Sequence, residues 1–123
     1  MKIRFKKSLV IGASENPARY ANMAIRLLNK IGHEVVAIGK KSGIVDNVEI
    51  ETNFPSYLNI DTITMYINAE QQKDYYNYIL SLKPKRIIFN PGTENTELSK
   101  LAKENNIETE DACTLVLLQT NQY

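Results

Sequence analysis

Scarcity limits this 123-residue chain before any motif is considered. Cysteine occurs once, at Cys113, which excludes an internal disulfide framework and a cysteine-built zinc site. A single thiol also fits a reducing cytoplasm, the expected compartment. Histidine occurs once, at His33, so no histidine cluster is available for metal binding or for a nucleophile–base pair. Charge of one sign is not in excess: 15 basic and 14 acidic side chains leave a net +1. No global field favours nucleic acid or a membrane surface. The N-terminus lacks the apolar core of a signal peptide, and no apolar run nears the length of a membrane span. Internal repeats and low-complexity stretches are lacking as well. The expectation is a soluble, single domain spanning 1–123.

What is present alternates between strand and helix. Leu9–Ile11 reads as a first strand, with a lead-in reaching back toward Ile3 and Phe5, and Lys2, Arg4, Lys6 and Lys7 read as a solvated approach to it. A helix follows, with Ala21, Ala24, Ile25, Leu28 and Ile31 at the i, i+3, i+4 spacing of one buried face. Its start lies either at Asn16-Pro17 or nearer Tyr20, and Gly32 stops it. Glu34–Ile38 is a second strand. Residues 44–60 read as an irregular connection, with room for an edge strand at Val48–Ile50. Thr62–Ile67 has the β-branched and aromatic content of a strand. Glu70–Leu82 reads as a helix, Arg86–Phe89 as a strand, Glu94–Asn105 as a helix, Ile107–Glu110 as a last strand and Thr114–Gln119 as a terminal helix. This order predicts an α/β, doubly wound domain with a mainly parallel five-stranded sheet flanked by helices.

In such a sheet, ligands bind beyond the carboxyl ends of the strands, where strand order reverses. Those ends are Gly12-Ala13-Ser14, Gly39-Lys40, Asn68-Ala69 and Asn90-Pro91-Gly92, all small or polar. Gly12-Ala13-Ser14 joins a strand to a helix N-terminus, where unpaired N–H groups and the helix dipole favour a phosphate. Arg19 is either a plain surface residue or, so near this turn, a contact to such a group, and the second reading is favoured. The dinucleotide fingerprint G-x-G-x-x-G falls on Gly12, Ser14 and Pro17 and matches once, and a Walker loop is lacking. Where a ribose-binding carboxylate would end the second strand there is Gly39-Lys40-Lys41. A lysine there suits a phosphorylated ribose, as in coenzyme A or NADP, and disfavours NAD.

Val10-Ile11-Gly12-Ala13-Ser14, Pro17, Arg19-Tyr20, Gly39-Lys40, Asn90-Pro91-Gly92-Thr93-Glu94-Asn95 and Asp111-Ala112-Cys113-Thr114 together resemble the small stand-alone CoA-binding proteins. These are single Rossmann-like domains similar to the CoA-binding domain of succinyl-CoA synthetase and acyl-CoA synthetases. The resemblance implies that coenzyme A, free or acylated, is the ligand. It implies that the backbone of Gly12, Ala13 and Ser14 holds the pyrophosphate and that Arg19 and Lys40 meet phosphates, Lys40 near the 3′-phosphate. It also implies that Asn68 borders the adenosine and that Asn90, Pro91 and Gly92 line the pantetheine path. One departure is Ile38-Gly39, where many relatives carry Asn-Pro.

Tyr20 either packs on the first helix or covers the ligand. Tyr75, Tyr76 and Tyr78 read as helix packing, with a subunit contact as the other reading, so a homo-oligomer or an unidentified protein partner stays open. His33 is expected to be exposed and structural, at the far end of the sheet. No catalytic residue and no metal ligand is proposed. Two other functions remain at this point: an NADP-binding oxidoreductase-like protein, and a redox sensor in which Cys113 forms a mixed disulfide with CoA.

Overall fold

The computed structural model describes residues 4–123; Ile3 and Lys2 of the expected lead-in lie outside them. The central sheet has seven strands in the order β3-β4-β2-β1-β5-β6-β7. They are β1 (Ser8–Ile11), β2 (Val35–Ile38), β3 (Gly43–Val45), β4 (Val48–Glu51), β5 (Thr62–Met65), β6 (Arg86–Phe89) and β7 (Glu108–Asp111). All pair in parallel except the β3–β4 hairpin. The helices are α1 (Tyr20–Ile31), α2 (Ala69–Gln72), α3 (Tyr76–Leu82), α4 (Thr96–Glu104) and α5 (Thr114–Gln119). This is a Rossmann-like α/β fold with a mostly parallel sheet.

Alternation along β1 explains the two layers. Leu9 and Ile11 pack with Ile63, Met65, Ile87 and Phe89 under α3 and α4, through Ile79, Leu98 and Ala102. Val10 and Ala37 face the other way, against Ala21, Ile25 and Leu28 of α1 and Leu118 of α5. Strands covered on both faces read as near-continuous apolar or β-branched runs, and Ser8–Ile11 and Thr62–Met65 are buried at every position. Each fully buried Leu, Ile or Phe side chain contributes roughly 1.5–3 kcal/mol of transfer free energy.

Four expectations need correction. The sheet has seven strands rather than five, because the connection read as irregular holds the β3–β4 hairpin. Asp46 and Asn47 both take positive φ (46° and 68°) and make its tight turn, a conformation that Asn and Asp tolerate. The strand at Val48 is not the edge, since β3 covers it. The Glu70–Leu82 helix is broken: a 3₁₀ turn at Lys73–Tyr75 separates α2 from α3. Finally, His33 is buried rather than exposed. Phe5 and Tyr123 pack edge-on against its ring, at 5.8 and 5.1 Å between centroids. Its Nδ1 accepts a 2.9 Å hydrogen bond from the Lys6 N–H.

Candidate functional site

The sheet order reverses between β1 and β5: the chain moves from β1 outward to β2, then returns across β1 to β5. At that point a cleft of about 700 Å³ opens beyond the carboxyl ends of the strands. A larger hollow, about 830 Å³, lies at the opposite end of the strands around Lys6, Asp61 and Arg86. Its cations are interleaved with carboxylates, including an Arg86–Glu110 pair at 3.5 Å. The first cleft is the better site on topology.

Its floor is the turn after β1. Gly12 has φ +97°, and a Cβ there would press on Ile67 and the Tyr66 backbone at 3.0 Å, so glycine is required both by conformation and by space. The Gly12 and Ala13 N–H groups both donate to the Ile38 carbonyl, each at 2.9 Å. Two of the three backbone donors expected to hold pyrophosphate are therefore engaged inside the protein. The open donors lie one step further on. Arg19 occupies the N-cap of α1 in extended conformation and caps nothing with its side chain, so the first-turn N–H groups, which have no intrahelical acceptors in any helix, gain none from the cap. Asn22, buried on the inner face of α1, fixes that helix to the turn by donating from Nδ2 to the Ser14 carbonyl at 2.9 Å.

Among the proposed site residues, Gly12, Ala13, Ser14, Arg19, Tyr20, Lys40 and Pro91 all line this cleft. Tyr20 is 69% exposed, on the cleft side of the helix start. Among the described residues, no carboxylate pairs with Arg19, Lys40 or the adjacent Lys41. Asn68, Asn90 and Gly92 do not line it. Asn68 caps α2, accepting from the Gln71 N–H at 2.9 Å while its own N–H donates to Gln71 Oε1. Asn90 is buried. Its Nδ2 donates to Thr64 Oγ1 and the Met65 carbonyl, and its Oδ1 accepts from the Thr114 N–H.

Glu15, Lys41, Ser42, Tyr66, Ile67, Gln71 and Thr93 line the cleft without having been proposed as binding residues. Behind them Gln72, fully buried, ties two walls together: its Nε2 donates to the Ile67 and Thr93 carbonyls, at 2.9 and 2.7 Å. A polar residue on a buried helix face is the one sequence signal for both Gln72 and Asn22. The Tyr66 hydroxyl is buried with no hydrogen-bond partner among the described residues. Burial pushes its pKa up to about 12, against smaller opposing effects of the neighbouring Thr64 and Thr114 hydroxyls. Cys113 is half-buried at the N-cap of α5 and does not line the cleft. Among the described residues, no His, Cys, Asp and Glu cluster is placed to hold a metal, and no helix is long and apolar enough to cross a membrane.

Fold and cleft together define a doubly wound α/β domain whose open switch point presents cations unpaired among the described residues and a helix start without a side-chain cap. The chain belongs to the CoA binding domain family, whose profile matches residues 6–119. It is similar, at 47% identity and TM-score 0.95, to a crystal structure described as an uncharacterized protein, with 98% of this chain and 99% of that one covered. It also resembles cell-free ID.343 from Thermus thermophilus (20% identity, TM-score 0.82, covering 97% and 91%). A further likeness is to dinucleotide forming acetyl-coenzyme A synthetase 1 of Ca. Korarchaeum cryptofilum, at 14% identity and TM-score 0.70. It covers 85% of this chain and 25% of that one. The latter two likenesses establish the fold alone. A search of curated proteins found no match.

Proposed function

We propose that this domain binds coenzyme A or an acyl-CoA in the cleft beyond β1, β2 and β5, without acting on it chemically. The observation that carries the reading is the set of three cations, Arg19, Lys40 and Lys41, unpaired among the described residues and gathered beside the uncapped start of α1. Phosphate oxygens complement both features. Because the Gly12 and Ala13 amides serve Ile38, we assign the pyrophosphate to Ser14, the first turn of α1 and Arg19. Lys40 takes the 3′-phosphate, with Lys41 beside it. Tyr20, Ile67 and Pro91 offer apolar surface to the remainder of the ligand.

Calorimetric titration with CoA, dephospho-CoA and NADP tests this. Saturable CoA binding, weakened about tenfold by loss of the 3′-phosphate, is the expected result for one charge-assisted contact. Lys40→Ala should bind CoA no better than the wild type binds dephospho-CoA. NADP binding with no response to CoA would overturn the proposal.

A further inference from the structure

Glu15 is an acidic residue in a cleft otherwise suited to anions, which calls for an explanation. Its side chain crosses from the turn after β1 to the far end of the loop that follows β2. There Oε2 accepts a 2.9 Å hydrogen bond from the Ile44 N–H. The carboxylate lies flat against Gly43, so closely that a Cβ added at Gly43 would overlap Glu15 Cδ and Cγ. Ile44 is in edge strand β3 and does not owe this N–H to β4: the hairpin pairs Ile44 with Glu49 across a narrow three-residue ladder. Lys40, Lys41 and Ser42 are the exposed residues spanned by the contact, and all three line the cleft. At its other end the loop is held where the Gly39 N–H donates to the Glu51 carbonyl, at 2.9 Å.

We infer that Glu15 is a positioning residue for ligand discrimination: it clamps the 40–42 loop so that Lys40 is held over the phosphate position. The inference rests on the phosphate role proposed for Lys40. A lysine on a free loop is a mobile point charge, which loses side-chain and loop entropy on binding. A lysine on a loop fixed at both ends loses less, and the advantage is felt only by a ligand that carries the phosphate Lys40 meets. Glu15 also holds a negative charge in the cleft, so its removal by itself would favour an anionic ligand. Weaker binding after its loss therefore cannot be a charge effect.

The test is the ratio of dephospho-CoA to CoA dissociation constants, measured by calorimetry for four proteins. Glu15→Ala should lower the ratio about five- to tenfold from the wild-type value, through weaker CoA binding, with dephospho-CoA affinity unchanged or slightly raised. Glu15→Gln keeps an oxygen for the Ile44 N–H and should keep the ratio. Gly43→Ala displaces the Glu15 side chain and should reproduce Glu15→Ala. Amide exchange at Ile44, measured without ligand, should quicken in Glu15→Ala and Gly43→Ala and so report the clamp in a folded protein. A wild-type ratio that survives Glu15→Ala, or an Ile44 exchange rate that does not change, overturns this inference alone. A wild-type ratio near one overturns the phosphate reading, and this inference with it.

Discussion

Gly39→Ala is the substitution by which the packing of the site can be tested most directly. Gly39 is buried directly after β2, where the turn after β1 passes over it. A Cβ there would come against the Ala13 carbonyl oxygen closer than real Cβ atoms approach, and 3.0 Å from Ile50 Cγ2. The obstructing atom is backbone, so no side-chain rotation relieves the contact. The Ala13 peptide cannot retreat without disturbing the paired Gly12 and Ala13 donations to Ile38. Overpacking of this kind costs about 3 kcal/mol. Alanine restricts the unfolded chain and returns somewhat under about 1 kcal/mol. The net loss is about 2 kcal/mol, which in a domain of this size lowers Tm by about 8 °C. Gly92→Ala is the matched control: φ is +89° but nothing lies within 4 Å of an added Cβ. Only the left-handed backbone is penalised there, by about 1 kcal/mol. Differential scanning calorimetry or urea titration of the three proteins decides the matter. A Gly39→Ala protein as stable as wild type, or more stable than Gly92→Ala, would refute the close approach.

Two further perturbations address the buried polar groups. Asn90→Ala removes three buried side-chain hydrogen bonds to Thr64, Met65 and Thr114 and should destabilise by about 3 kcal/mol in urea titration; a loss below about 1 kcal/mol would contradict the bonding described. His33 has its pKa lowered, first by burial and then by the Lys6 charge, with Arg86 adding to it and Asp61 opposing it. The unfolded chain then binds the proton more readily, so this contribution is fully present above the ordinary histidine range near pH 6.5 and is lost as pH falls through the lower folded value. The urea midpoint should drop between pH 7.5 and pH 5, and His33→Gln should shallow that drop; an equal drop in both proteins would rule out His33 as its source.

Local pattern revealed the parallel core; weak local signals concealed the hairpin and the helix break, and distance along the chain concealed the burial of His33. Ser8–Ile11 and Arg86–Phe89 each carry their strand character in four residues, the last three apolar, because burial on both faces leaves little choice of side chain. The β3–β4 hairpin alternates Val45, Val48 and Ile50 with exposed Ile44 and Glu49 over very short strands. Its Asp46-Asn47 turn lacks the glycine that would have announced it. The helix break at Lys73–Tyr75 has neither proline nor glycine, so periodicity alone ran through it. His33 sits beside a helix stop, a place that reads as solvent. What buries it is Tyr123, ninety positions later, whose ring also meets Arg86 at 4.7 Å and whose hydroxyl bonds Ser8 at 2.6 Å.

The site divides by burial in a way that residue type at the strand ends did not reveal. Asn90, Asn22 and Gln72 are all amide-bearing residues near the cleft, and each has its polar atoms committed to neighbouring strands, helices or loops. A buried amide with its bonds satisfied inside the protein has little left to offer a ligand, and breaking those bonds on binding would forfeit them. Arg19, Lys40 and Lys41 are exposed and unpaired among the described residues, so ligand contact costs them only side-chain freedom. The family resemblance implies Asn68 beside the adenosine and Asn90 on the pantetheine path. In the fold, Asn68 caps α2 through Gln71, and Asn90 ties β5 to the start of α5. On the proposed reading, recognition falls to the cations, the open helix start and the loop that Glu15 restrains.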